Sequence, residues 1–406
     1  MRISALETVR LREFPNLIWG RVHGEDRMYG LGETFMAAAA VEAYLHEIVA
    51  PLILGEDALA IDKIAARLTP YLGRRSSGVE IRANSAIDIA LWDLWGKATN
   101  QPVVQLLGGR TRERIRTYNT CAGYRYIRDT RLQKVANWGI GEAQGPYEDL
   151  DAFLHRADEL ALSLLDEGIT AMKIWPFDIA AEATGGMWIE SHDLNTALEP
   201  FAKIREAVGD RMDIMVEFHS LWNLPTAIRI ARALEEYDTR WHEDPIKMDS
   251  LGTLKAYAAA SKAPVCASET LGGRGSFRDL FETGAVGICM LDLAWCGGLS
   301  EAKKIASMAE AWHLPVAPHD CTGPVVLAAS THLSCNAPNA AIQESVRAFY
   351  TGWYNEIVTN VPTVENGMIA PPAGPGLGLD LLPEVFTRDD AIVRQSRIER
   401  GAPARN

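Results

Sequence analysis

The run Ile214-Met215-Val216-Glu217-Phe218-His219 is a short apolar stretch that ends in an acid and a histidine. Its length and unbroken apolar character suit a buried strand. The same figure recurs along the chain. Before it come Arg116-Thr117-Tyr118 and Ala171-Met172-Lys173-Ile174-Trp175. After it come Arg240-Trp241-His242-Glu243, Val265-Cys266-Ala267-Ser268-Glu269, Ile288-Cys289-Met290-Leu291-Asp292, Val316-Ala317-Pro318-His319 and Ala341-Ile342-Gln343-Glu344. Segments of helical period lie between them. Ala302, Ile305, Ala306, Ala309 and Trp312 share one face, as do Phe201, Ile204 and Val208, stopped by Gly209. Strands and helices in strict alternation predict an α/β chain closed into a (β/α) barrel. A doubly wound open sheet is the competing fold, but no glycine-rich fingerprint follows the first strand.

Outside the alternation the pattern differs. Residues 1 to about 115 begin with strand-like runs at Ile18-Trp19-Gly20-Arg21-Val22 and Met28-Tyr29-Gly30-Leu31-Gly32-Glu33. A helix follows, with Ile87, Leu91, Leu94 and Trp95 on one face, so a small α+β unit is expected there. The barrel is expected over 116–361. The tail, 362–406, contains the turn-rich Pro371-Pro372-Ala373-Gly374-Pro375-Gly376-Leu377-Gly378 and reads as outside the barrel. Segments 124–148 and 178–194 follow the first and second barrel strands and exceed ordinary connection lengths. They are expected to be loops over the barrel mouth.

Composition narrows the class. The 406 residues are 48% hydrophobic and 23% charged, with a net charge of −13. No Lys/Arg run exceeds the pairs Arg74-Arg75 and Lys303-Lys304, which argues against nucleic acid or an anionic membrane as partner. No apolar run approaches a membrane span, and the first residues lack a signal-peptide core. The six cysteines, at 121, 266, 289, 296, 321 and 335, form no Cys-x-x-Cys pair. Reduced thiols and a cytoplasmic location are expected.

Chemistry gathers at the strand ends. Lys173, Glu217, Glu243, Glu269, Asp292, His319 and Glu344 all lie at or near the C-terminal ends of strand runs, the rim where barrel enzymes collect reactive groups. Glu217, Glu243 and Glu269 are separated by two equal steps of 26 residues, one βα unit each, which sets them side by side. Three converging carboxylates need a cation, and an all-oxygen set suits Mg²⁺. Asp292 and His319, one strand apart, make a general base whose tautomer the carboxylate fixes. His219, two residues beyond Glu217, is expected on the same side of its strand and in the same site. The glycine-rich Gly272-Gly273-Arg274-Gly275-Ser276 lacks a following Lys-Ser/Thr and reads as a plain βα turn. Trp222 reads equally as pocket wall or core, and His192, His313 and His332 are given no role.

The order of Lys, three acids, Asp, His and Glu on strands two to eight resembles the enolase superfamily over nearly the whole chain. Tyr29-Gly30-Leu31-Gly32-Glu33-Thr34, Leu91-Trp92-Asp93-Leu94 and Leu106-Leu107-Gly108-Gly109 are similar to its N-terminal capping domain, and Pro375-Gly376-Leu377-Gly378 to its C-terminal return. The Asp292/His319 pair and Gly297-Gly298 resemble the mandelate racemase-like subgroup. Glu217-Phe218-His219, Ala317-Pro318-His319-Asp320-Cys321-Thr322-Gly323-Pro324 and Ile342-Gln343-Glu344-Ser345 resemble its galactonate dehydratase branch.

The resemblance implies a modified (β/α)7β TIM barrel with an α+β capping domain built from the N-terminal region and the tail. It implies a Mg²⁺-dependent hydro-lyase that takes water from an aldonate or aldarate through an enolate, giving a 2-keto-3-deoxy acid. Glu217, Glu243 and Glu269 would bind the metal, and His319 with Asp292 would handle the C2 proton. His219 would protonate the departing 3-hydroxyl, Glu344 would hydrogen-bond the substrate carboxylate and Lys173 would neutralise it. A homo-oligomer is also implied. The alternatives are an epimerase or lactone cycloisomerase of sugar acids, or a weakly active sugar-acid binder. Two positions depart from the pattern. Glu217 stands where the family usually has Asp, and Trp175 stands where its racemases carry a second lysine.

Overall fold

The computed structural model describes residues 1–69, 78–141 and 143–398; the pair Arg74-Arg75 and the end of the expected tail, 399–406, lie outside them. Three strands open the chain: β1 (Ile3–Leu11), β2 (Leu17–Gly24) and β3 (Tyr29–Phe35), an antiparallel meander. The helix Val79–Thr99 lies across β3. Gly30 and Gly32 make that approach possible, because a Cβ at either would run into the carbonyl oxygens of Ala90 and Ala86. This explains the alternating glycines of Tyr29-Gly30-Leu31-Gly32-Glu33.

The eight expected barrel strands are all present, in the expected order. They are β4 (Ile115–Thr120), β5 (Ala171–Ile174), β6 (Asp213–Glu217), β7 (Trp241–Glu243), β8 (Val265–Ala267), β9 (Val286–Leu291), β10 (Val316–Pro318) and β11 (Gln343–Ser345). Neighbours from β4 to β10 pair in parallel, and β11 pairs in parallel with β4. A parallel bridge between Val316 and Ala340 closes the remaining gap. Tyr118, Ala171, Met215, Trp241, Cys266, Met290, Ala317 and Ile342 form one apolar layer inside the ring, each from a different strand or its start. The interior is therefore a packed core rather than a channel, and truncating one of its large side chains costs roughly 2–5 kcal/mol.

The tail departs from expectation in one respect. The hairpin β12 (Val364–Glu365) and β13 (Met368–Ile369) adds to the barrel sheet, with β13 antiparallel to the start of β4. It pairs at Ile115 and Arg116, where β4 extends below its parallel neighbours and leaves backbone groups open. The strand β14 (Ala391–Arg397) then crosses to the other sheet and pairs along β1. Asp93 joins the tail to the cap, one carboxylate oxygen accepting from the N–H of Leu31 at 2.7 Å and the other from Leu377 at 2.8 Å.

Of the two segments expected as loops, the described residues of 124–148 are irregular apart from the short turn Val135–Asn137. The other, 178–194, is largely helical: Asp178–Thr184 is one helix and Ser191 starts the next. Asp178-Ile179-Ala180-Ala181-Glu182-Ala183 is rich in helix formers with an acid in its first turn, and Gly185-Gly186 stops it. Among the described residues no helix is long and apolar enough to cross a membrane.

Candidate active site

The parallel register delivers the acids to one rim. Glu217 and Glu243 are the last residues of β6 and β7 and face each other directly across the ladder. Glu269, Asp292 and His319 lie one or two residues past β8, β9 and β10, while Lys173 and Glu344 sit within β5 and β11. One oxygen from each of Glu217, Glu243 and Glu269 lies within 4.8 Å of the others.

Burial makes this cluster electrostatically tense. Burial pushes the Glu217 carboxyl up to about 7, and burial with the neighbouring Glu217 charge pushes Glu243 well above its usual range. Glu269 is partly exposed, and the positive charge of His319 outweighs its desolvation and holds it at about 2. Lys173, 2% exposed, keeps its proton despite burial because Glu243 and Glu344 lie at 2.5 and 2.9 Å from its ammonium. Glu217 accepts the N–H of His219 on Oε1 at 2.6 Å; its buried Oε2 makes no hydrogen bond among the described residues, with Lys173 3.4 Å away. Three hard oxygen donors and an unsatisfied carboxylate oxygen fit a small divalent cation such as Mg²⁺.

Two imidazoles line the same cavity as Glu217 and Glu269. His319 places Nδ1 2.7 Å from Asp292 Oδ2 and Nε2 2.8 Å from Glu269 Oε2. Burial opposes its protonation, yet Glu269, Glu344 and Asp292 together raise it well above the usual histidine range. His219 places Nδ1 2.7 Å from Asp178 Oδ2. Because carboxylates only accept, both Nδ1 atoms carry a hydrogen, as does His319 Nε2 against Glu269, while His219 Nε2 is left for other contacts. His219 reaches the cavity by a different route from the one expected. The strand stops at Glu217, and His219 and Ser220 take φ of 48° and 57°, so strand alternation does not place it.

Glu344 has both oxygens engaged. Thr120 and Lys173 donate to Oε1, and the N–H of Asp320 donates to Oε2 at 2.8 Å. Charge from Lys173 and His319 keeps it ionised against its burial. Thr120 and Asp178 carry no signal in the sequence that sets them apart from ordinary loop and strand residues, and Asp320 stands there only as part of the run that follows His319. Phe35 from the cap and Tyr126, Ile127 and Gln133 from segment 124–148 cover the cavity, which measures about 40 Å³. Trp175 is part of its wall, whereas Trp222 packs in the core. His192 and His313 are exposed, and His332 bonds Val104 and Leu377 between helix and tail.

A larger cavity of about 500 Å³ lies elsewhere, between the helices Ile61–Leu68 and Val79–Thr99 of the cap and two barrel helices. Two of its acids already have partners. Asp88 accepts from the N–H of Ser300, and Glu301 accepts from that of Arg274 in the Gly272–Ser276 turn. The reactive groups converge at the smaller cavity, and the site is placed there.

Comparison with known proteins agrees with this geometry. The profile of the mandelate racemase / muconate lactonizing enzyme N-terminal domain matches residues 9–108, and that of the enolase C-terminal domain-like family matches residues 156–385. The chain is 30% identical to the D-galactonate dehydratase of Ralstonia nicotianae over 412 residues, which spans 100% of this chain and 95% of that one. It is 28% identical to the D-xylonate dehydratase of Haloferax volcanii, over 89% of this chain and 82% of the relative. A crystal structure of an enolase of the mandelate racemase subgroup from Agrobacterium tumefaciens is 59% identical, with a TM-score of 0.87 over 98% of this chain and 99% of that one. These matches span both the capping and the barrel elements, and the chain belongs to the enolase superfamily, in its mandelate racemase-like subgroup, on the side of the galactonate dehydratases.

Proposed function

We propose that the chain is a Mg²⁺-dependent acid-sugar dehydratase that converts an aldonate or aldarate to its 2-keto-3-deoxy acid. The observation that carries this reading is the pair of carboxylate-held imidazoles, His319 and His219, lining one cavity with Glu217 and Glu269 of the three-carboxylate cluster. Elimination of water needs a base for the C2 proton and a separate acid for the poor 3-hydroxyl leaving group. Relatives named as D-galactonate and D-xylonate dehydratases support the same reaction class.

Glu217, Glu243 and Glu269 would hold Mg²⁺, which when bound supplies positive charge where the enolate's negative charge develops on the substrate carboxylate. His319 Nε2, once freed of the proton it shares with Glu269, takes the C2 proton, and Asp292 stabilises the imidazolium that results. His219, as the imidazolium that Asp178 favours, gives its Nε2 proton to the 3-hydroxyl, which departs as water, and keeps its Nδ1–H on Asp178; the enol left behind ketonises. Lys173 presents a fixed positive charge to the substrate carboxylate. Glu344, ionised and with both oxygens engaged, acts by holding Lys173 and Thr120 rather than by donating to the substrate. Trp175 has no basic nitrogen, so the site has no second lysine base for racemisation. Six free cysteines, most of them buried, suit a cytoplasmic setting.

The test is turnover of a library of aldonates and aldarates with Mg²⁺, followed by mass and 2-keto acid assay of the product. At least one acid is expected to lose one water. Products of unchanged mass throughout would replace this reading with epimerisation or cycloisomerisation.

A further inference from the structure

We propose that Asp178 is a positioning residue for His219, fixing the ring so that Nε2–H alone faces the reacting hydroxyl; this deepens the dehydratase reading and rests on it. Asp178 opens the helix that follows β5, and His219 follows β6, the next strand around the barrel. Their side chains meet across the rim with Nδ1 2.7 Å from Oδ2.

Asp178 is 6% exposed, and its other oxygen is buried without a hydrogen bond among the described residues. Among the described residues the hydrogen bond of this carboxylate is thus to His219. A structural explanation would make Asp178 the cap of its helix, but that helix carries no side-chain cap bond, and Phe177 stands at the N-cap. The other contacts of His219 do not by themselves decide which way its ring faces. Its backbone N–H is tied to Glu217 Oε1 at 2.6 Å, and the edge contact with Trp175, at 5.9 Å between ring centroids, constrains the plane but not which nitrogen faces inward. A ring rotated by half a turn would fill the same space and present carbon or the wrong nitrogen to the cavity. A carboxylate at Nδ1 removes that ambiguity by accepting its hydrogen. The arrangement repeats that of Asp292 with His319, so both imidazoles face the cavity with the same atom.

The experiment has an arm that does not depend on catalysis. In protein labelled with ¹⁵N-histidine, the His219 signals are identified by their loss in His219→Asn. The native protein is expected to show Nδ1 protonated and hydrogen-bonded, and Asp178→Ala to show a mixture of tautomers. A native His219 protonated on Nε2 alone, or an Asp178→Ala spectrum identical to native, overturns the proposal. The kinetic arm uses a sugar acid that the native enzyme dehydrates and its 3-deoxy-3-fluoro analogue, whose leaving group needs no proton. Asp178→Ala is expected to lower kcat on the hydroxy acid about 10–100-fold, the usual worth of a group that orients an imidazole, with KM and Mg²⁺ affinity nearly unchanged. The loss should shrink to under about 3-fold on the fluoro acid, and Asp178→Ala with His219→Asn should be no slower than His219→Asn alone. Equal losses on both substrates, or additive losses in the double variant, would make Asp178 structural. Asp178→Asn, which preserves the shape, serves if the alanine variant does not fold. If no sugar acid reacts, the dehydratase reading fails while the spectra still decide the pairing.

Discussion

Nε2 of His319 lies 2.8 Å from Oε2 of Glu269, so the proposed base and a proposed metal ligand share a proton. The attraction of Glu269 is one reason His319 is raised well above its usual range, and burial holds Glu217 up at about 7. A divalent cation on the triad offsets that negative charge, lowers both groups and drives their protons into solvent. Mg²⁺ binding between pH 6 and 7 is therefore expected to release protons, and its affinity to rise with pH. Calorimetry in buffers of different ionisation enthalpy measures the release; a proton-neutral titration would contradict it.

Replacing one carboxylate should separate binding from folding. Glu243→Gln and Glu269→Gln are each expected to abolish measurable Mg²⁺ binding and to lower turnover on the order of 10²–10³-fold. The circular dichroism spectrum should stay native, because the apolar layer below the triad is untouched. Full turnover in excess chelator would end the metal assignment.

The two histidines should fail differently. His319→Asn removes the base, so C2 proton exchange and dehydration should both fall by roughly 10²–10⁴. His219→Asn should slow dehydration by a similar factor yet leave C2 exchange measurable, and should recover on a 3-fluoro substrate. Identical behaviour of the two variants on both substrates would refute the division of labour.

The sequence made the barrel legible because each strand is a short apolar run ending in an ionisable residue, and a parallel barrel brings such ends together whatever the loops do. Glu217, Glu243 and Glu269 could be grouped from spacing alone. Asp178 could not, since its pairing with His219 spans 41 residues and two separate βα units. Its helix was also hidden, because Asp178–Thr184 lies in a stretch whose glycines and tryptophan suggest a loop. Phe35 over the cavity was equally illegible: it is placed by contacts between cap and barrel, where Thr34 donates to Ala294 O and the Trp295 indole to Phe35 O. The hairpin β12–β13 is illegible in the sequence because two-residue strands carry no periodicity.

Glu33 offers a test of that seam. Its carboxylate accepts from the Trp19 indole at 2.6 Å and from the N–H of Val326 at 2.9 Å, in the first turn of the helix Pro324–Asn336. Burial nevertheless pushes it up to about 8. A carboxyl raised in the fold keeps a proton that the unfolded chain has lost, so its contribution to stability falls as pH rises from about 4.5 to about 8. Glu33→Gln, which cannot ionise, is expected to gain stability relative to the parent between pH 5 and pH 8. Urea midpoints measure this, and a difference independent of pH would contradict the shift.

The pairing of β1 with β14 has a consequence for synthesis. Residues Ala5–Leu11 acquire one sheet neighbour, β2, almost at once, but their other partner, Ala391–Arg397, is translated 380 residues later. At ribosomal rates the edge of β1 stays open for about 20–80 s while the whole barrel emerges. During that interval it presents free backbone donors and acceptors to any passing strand. A nascent chain stalled before residue 391 is therefore the species most exposed to aggregation, even with every residue of the catalytic rim already made.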